Sequence, residues 1–288
     1  MAGFGGVQIS APDDIPNDYG RWLIHGPQGA GKTTLASTVA RMGKTLYLDL
    51  TGERGIRSFR GADYAKNIEV ARPESVTALD DIYWALAKGG HGYKAVVVDS
   101  LTSVQKMAMR FILGHSETAV KEIKQGTAPA DQRSWGQTLD IMIDMATFWY
   151  GLADGQRDEP LHVVMTAQTK VTEDDFGNIH RIPDVQKGAL SITLASPDYI
   201  VYADVEENLD AIGDESLPPV NHIIRFGAHP EYRTKARLPV NLRGRMPSVI
   251  GRKSAPDLYS LSRTLGIGGV PAPAPKSTPK AVKDQPQA

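Results

Sequence analysis

Nine residues, Gly26, Pro27, Gln28, Gly29, Ala30, Gly31, Lys32, Thr33 and Thr34, follow directly on the apolar run Trp22, Leu23, Ile24 and His25. No other stretch constrains the chain as tightly. The spacing is G-x-x-x-x-G-K-[ST], which predicts a short strand, a glycine-rich turn and the start of a helix. Glycine lets the backbone curl so that successive N–H groups converge on one point. The positive end of the following helix, expected over residues 33–42, adds to the same spot. A loop of this kind cradles a phosphate chain. Lys32 supplies a point charge for the β- and γ-phosphates, and the Thr33 hydroxyl is placed to ligate Mg²⁺. All nine residues are therefore candidate contacts to a nucleoside triphosphate.

Strand-like runs recur after the loop. Residues 44–50 form an apolar run between Gly43 and Gly52, and Ala95 to Val98 form a β-branched run ending at Asp99. Residues 161–168 and 199–205 follow the same pattern, and 222–226 adds a later strand. Helical spacing over 76–87, opened by Ser75, separates the first two runs, and 101–113 and 132–152 are read as helices. In the last of these, Trp135, Leu139, Met142, Ala146 and Trp149 form the expected buried stripe. Residues 171–173 and 179–182 flank Asp174, Asp175, Phe176, Gly177 and Asn178, the pattern of a hairpin. Alternation of strand and helix predicts an α/β fold with a mainly parallel central sheet flanked by helices and antiparallel strands at the C-terminal side.

Of 288 residues, 41% are apolar, enough for one full core. Residues 1–18 are expected to be a flexible lead, 19–267 the core, and 268–288 a disordered Pro/Ala/Lys tail. The chain has no cysteine, which excludes disulfides and thiolate metal sites and suits a reducing interior. With no signal peptide and no apolar run of about 20 residues, a soluble cytoplasmic protein without membrane contact is expected. Charge is uneven. From residue 219 onward twelve Lys/Arg stand against three Asp/Glu, leaving twenty against thirty in the rest. Such a basic block suits polyphosphate, nucleic acid or an acidic neighbouring subunit, or else forms a solvated face.

A triphosphate site needs a carboxylate at the end of a core strand to hold the metal, and Asp99 is that residue by position. Hydrolysis needs a group to orient or deprotonate water. Asp49 and Glu53 follow the second strand, and Glu53, with the longer reach, is the favoured candidate. Gln168, ending the strand of residues 161–168, carries a neutral amide able to sense the γ-phosphate.

These residues resemble the RecA core family. Val96, Val97, Val98, Asp99, Ser100 and Leu101 are similar to its Walker B strand, and residues 163–169 to the strand whose terminal glutamine couples ATP to a DNA-binding loop. Arg233, Thr234, Lys235, Ala236 and Arg237 resemble the Lys-x-Arg pair that reaches a neighbouring subunit's ATP. The trimmed size looks most like the phage RecA-core ATPases of the Sak-four type. The resemblance implies an ATPase with ATP and Mg²⁺ as cofactors, Lys32, Glu53, Asp99, Gln168, Lys235 and Arg237 as catalytic residues, and Thr33 and Asp99 on the metal. It implies a homo-oligomer, ring or filament, on single-stranded DNA, promoting annealing or recombination, in the cytoplasm of an infected host cell if phage-encoded. A single-strand binding protein is a further candidate partner. Lys170, His180, Arg181 and Lys187 would then face DNA, with Phe176 as the one aromatic in the hairpin. In one respect the chain departs from the family. Threonine, at position 51, stands where the catalytic glutamate closely follows the second-strand aspartate, so slow hydrolysis is expected. Alternatives are a packaging or remodelling motor and a P-loop kinase.

Overall fold

The computed structural model describes residues 2–4, 7–9, 19–50, 55–114 and 130–269. Its strands are β1 (Ala2–Phe4), β2 (Val7–Ile9), β3 (Arg21–Gly26), β4 (Thr45–Asp49), β5 (Ile68–Ala71), β6 (Ala95–Asp99), β7 (His162–Glu173), β8 (Ile179–Pro183), β9 (Tyr199–Glu207), β10 (Val220–Arg225), β11 (Lys235–Ala236) and β12 (Val249–Ile250). The helices are α1 (Lys32–Ser37), α2 (Val76–Lys88), α3 (Leu101–Ile112), α4 (Gln132–Asp144), α5 (Lys187–Ala195) and α6 (Leu258–Leu265). A 10-stranded sheet runs β12-β10-β9-β3-β7-β6-β4-β5, with β11 added on β9 and β8 on β7. From β9 to β5 every pairing is parallel. Strands β8, β10, β11 and β12 pair antiparallel.

Parallel strands covered by helices on both faces must be apolar on both faces. In β6, Val96 and Val98 enter the cluster under α2 and α3, while Ala95 and Val97 enter the opposite one, with Leu35 and Ala36 of α1 and Leu258 and Leu261 of α6. Likewise Leu23 of β3 points to the first cluster and Trp22 and Ile24 to the second. The continuous apolar runs of the sequence are this two-sided burial.

Helix ends follow local chemistry. Ser75 caps α2 by accepting from Ala78 N at 3.1 Å, and Asp131 caps α4 through Ser134 N at 2.8 Å. Asp257 caps α6 through Ser260 N at 2.9 Å. The helix expected over 33–42 is shorter, with Thr38–Met42 wound more tightly as a 3₁₀ turn. Helix 132–152 is likewise broken after Asp144 into a π-type and then a 3₁₀ turn. Its stripe is correct at Met142, Ala146 and Trp149, but Trp135 is 46% exposed. It lies in the first turn of α4, seven residues before the fully buried Met142.

The sequence pattern predicts no element for β5, α5 or α6. Within the expected lead, β1 and β2 pair antiparallel as a separate two-stranded sheet. Residues 115–129 and the tail beyond Gly269 lie outside the described residues. Among the described residues no helix is long and apolar enough to cross a membrane.

Candidate active site

The glycine loop stands at the carboxyl end of β3, where ligands of open α/β sheets bind. A side chain at Gly26 would place its Cβ 2.3 Å from the Ala203 carbonyl oxygen of β9, so the first glycine is required by the approach of the neighbouring strand. Gly31 has φ 84° and precedes α1 without a side-chain cap. The first-turn amides of a helix have no acceptor within the helix. Here they open onto the loop, and Pro27, Gln28 and Gly29 form its exposed crest. Lys32 is buried, and its Nζ donates to the carbonyls of Gly26 at 2.9 Å and Pro27 at 2.8 Å and to Gln168 Oε1 at 3.2 Å. The cation is thus held under the crest by oxygen acceptors, and phosphate oxygens are acceptors of the same kind.

Asp99 ends β6 level with Asp49 of β4. Its Oδ2 accepts from Thr33 Oγ1 at 2.8 Å and from Tyr47 OH at 2.5 Å, and its Oδ1 accepts from Thr166. The Asp99–Ser100 peptide is cis. Mg²⁺ keeps several waters and takes one or two protein oxygens beside phosphate. A carboxylate and a hydroxyl in contact next to Lys32 fit that donor set, and among the described residues no group of three or more His, Cys, Asp or Glu forms a denser cage. Burial, reinforced by the charge on Asp99, pushes the Tyr47 phenol well above its ordinary range, so it stays a donor to the carboxylate.

Gln168 of β7 is level with Gly26. Its amide N–H donates to Thr102 Oγ1 at 3.1 Å, and its carbonyl accepts from Asp184 N at 2.7 Å. Thr102 Oγ1 in turn donates to the Asp184 carbonyl at 3.1 Å. The side chain that meets Lys32 is therefore anchored to α3 and to the segment leaving β8. The predicted hairpin forms, with Glu173 opposite Ile179 and Asp174 closing the turn on Phe176 N and Asn178 N, both at 2.9 Å.

His25 lies just before the loop, fully buried between Thr169 Oγ1 at 2.9 Å and the Arg233 carbonyl at 3.0 Å. Burial, with a smaller contribution from Lys32, pushes its pKa down to about 4 against the raising effect of that carbonyl, and the ring is neutral.

Other expected residues stand elsewhere. Asp49 is buried and paired with Arg72 Nε at 3.1 Å, which ties it to a structural partner. Glu53 lies outside the described residues, although Gly55, just beyond it, packs on Thr33, with a Cβ position 3.1 Å from Thr33 Cγ2. Lys235 is level with Ile200 and so with Leu23, and Arg237 N bonds Asp198 O beside Arg21. Arg21 stands five residues before Gly26, so Arg237 is ~16 Å from the loop along the sheet, toward its amino edge. There Lys235 Nζ donates to the carbonyls of Leu194 at 3.0 Å, Ala195 at 2.8 Å and Pro197 at 2.6 Å, and Arg237 pairs with Asp198 at 2.6 Å. Within the chain the two cations close the C-terminal end of α5 and are not brought to Lys32. Burial, then the charge of Arg237, lowers the Lys235 pKa.

Of the cations expected near DNA, Lys170 donates to the Val185 carbonyl, His180 bonds Asp174 Oδ2 at 3.1 Å, and Arg181 pairs with Glu231 over the Tyr232 ring. Lys187 is exposed, and so is Phe176 at the hairpin tip, at 90%.

Sequence reasoning missed Tyr47 and Thr102. A phenol in the middle of a short buried strand is a usable signal, since a buried Tyr OH requires a partner. Thr102 carried none, because its role depends on the approach of β7 and the Asp184 segment.

A family model described as an AAA domain matches residues 19–238. No curated protein matches the chain.

Proposed function

This chain belongs to the AAA domain family, a P-loop NTPase assignment, and from that premise we propose that it is an ATP-hydrolysing, RecA-like recombination protein. In this reading it binds single-stranded DNA as an oligomer and promotes strand annealing. The observation that carries the reading is the 3.2 Å contact between Lys32 Nζ and Gln168 Oε1. Lys32 is the group that meets the β- and γ-phosphates. Gln168 is fixed by its backbone to Thr102 and Asp184, and its strand runs on into the β7–β8 hairpin. Occupancy of the γ-phosphate position therefore has a covalent and hydrogen-bonded route to the hairpin. Mg²⁺, when bound at Asp99 and Thr33, supplies charge neutralisation at the phosphates. Tyr47 and Thr166 hold the carboxylate in place, and Lys32 stabilises the charge that develops on the transferred group.

The DNA part of the reading rests on the RecA resemblance. Phe176 at the hairpin tip and Lys187 at the start of α5 are the exposed candidates for stacking and phosphate contact, since Lys170, His180 and Arg181 have internal partners. The test is ATP turnover by the intact protein with and without single-stranded DNA, together with DNA binding across a salt series. Stimulated turnover and binding that weakens steeply with salt are expected. Turnover without any DNA binding at low salt overturns the DNA reading. A second reading, a remodelling or packaging motor, is favoured by the AAA domain match, and unwinding or translocation assays separate it from annealing.

A further inference from the structure

The groups around the loop set the direction in which a triphosphate lies, and any role for a neighbouring side chain in holding it rests on the proposed function of that loop as an ATP site. Gln168 and Asp99 stand on β7 and β6, both to one side of β3 in the sheet, while β9 and β10 stand to the other. A γ-phosphate placed beside Gln168 and Asp99 leaves the nucleoside to emerge on the side of β9 and β10.

One side chain of β10 occupies that position. Strand β10 pairs His222 with Val205, two residues beyond Ala203, whose carbonyl meets Gly26. His222 therefore overhangs the loop. Side chains two apart in a strand share a face, and Ile224 packs in the cluster of Leu35 and Ala36. His222 is thus on the α1 face of the sheet. A Cβ on Gly31 would lie 3.2 Å from His222 Nδ1 and 3.7 Å from its Cγ. The imidazole lies over the backbone where the loop becomes the helix, close enough that a Cβ at position 31 would make a tight contact with it. The ring is exposed and makes no hydrogen bond or ion pair among the described residues. Its backbone is fixed from behind, because a Cβ on Gly251 would meet the His222 carbonyl oxygen at 2.4 Å. Beside it, Glu206, opposite Asn221, holds Arg252 at 2.8 Å. An exposed aromatic ring carried on a fixed strand backbone at the nucleoside end of a phosphate loop is suited to one task.

We infer that His222 is the base platform of this site, stacking its imidazole on the nucleobase of the bound triphosphate. Stacking is tolerant of base identity because every base presents a π-face, so ATP and GTP gain similarly from the contact.

Calorimetric titration of the full chain in Mg²⁺ with ATP, GTP and tripolyphosphate tests this, using the unsubstituted protein, His222→Ala, His222→Phe and Lys32→Ala. Removing an aromatic stacking partner lowers affinity about five- to hundredfold. His222→Ala is expected to lose that much for ATP and GTP and nothing for tripolyphosphate, and His222→Phe to recover most of the loss. Unchanged ATP affinity in His222→Ala overturns the inference. So does an equal loss for tripolyphosphate, which would place the ring on phosphate, and so does failure of phenylalanine to restore binding. Lys32→Ala is expected to weaken all three ligands. If the unsubstituted chain binds none of them, the loop reading itself falls, a failure distinct from any specific to His222.

Discussion

Thr33 Oγ1 and Asp99 Oδ2 are 2.8 Å apart although 66 positions separate them in the chain. The contact joins the first turn of α1 to the end of β6 across the intervening strand β7, and it sets a hydroxyl and a carboxylate side by side at the proposed Mg²⁺ position.

Asp99→Asn removes the charge and keeps the shape. ATP turnover is expected to fall about 10²–10³-fold, the scale for losing a principal electrostatic group, with the far-UV spectrum unchanged. Thr33→Val should act in the same direction, while Thr33→Ser, which keeps the hydroxyl, should retain most activity. Turnover titrated against Mg²⁺ checks both.

Tyr47→Phe deletes one hydrogen bond to Asp99. Its phenol positions the carboxylate, and a hydrogen bond to a charged group contributes about 1.5–3 kcal/mol. A rise in the Mg²⁺ concentration needed for half-maximal turnover is expected, with a smaller change at saturating Mg²⁺. An unchanged Mg²⁺ dependence would remove Tyr47 from the site.

Gln168→Ala breaks the contact to Lys32 while leaving the backbone bonds to Thr102 and Asp184. Basal turnover should change less than stimulation by single-stranded DNA, which should be largely lost. Steady-state rates with and without DNA separate the two.

Lys235→Ala strips three carbonyls at the end of α5 of their donor. A loss of about 1 kcal/mol is expected, read as a lower Tm with turnover per folded subunit unchanged. A turnover defect larger than the stability loss, dependent on protein concentration, would instead place Lys235 at a neighbouring subunit's nucleotide.

His25 and His162 are both buried, and burial pushes each pKa from 6.5 down to about 4. His162 Nδ1 accepts from Gly20 N at 3.0 Å, which requires an unprotonated nitrogen. Between those values the unfolded chain binds more protons than the folded one. Stability is therefore complete above pH 6.5 and declines as pH falls toward 4, by roughly 3 kcal/mol per histidine. Denaturant unfolding at pH 7.5 and pH 5 measures the decline, and His162→Gln should remove about half of it.

Much of this molecule could be read along the chain. The loop, Asp99 and Gln168 were legible because each sits at the end of an apolar run, and strand ends on one edge of a parallel sheet converge. The hairpin was legible from its turn residues. Helix α2 was visible from Ser75, its apolar spacing and Gly89. Helix α5 was not, because its nine residues alternate small and apolar types without a distinct polar face. Strand β5 is half-exposed and four residues long, too short for periodicity to register.

The linear sequence by itself determined the chemistry of the phosphate loop, since G-x-x-x-x-G-K-T encodes a backbone conformation and a charge within one local segment. Only the tertiary structure decided which distant groups surround it. Tyr47, Thr102 and Thr166 act through hydrogen bonds between strands and helices far apart in the chain, and no local pattern specifies such partners. The same holds for Lys235 and Arg237, whose spacing gave their charge while the pairing of β11 with β9 set them at the amino edge, at the end of α5.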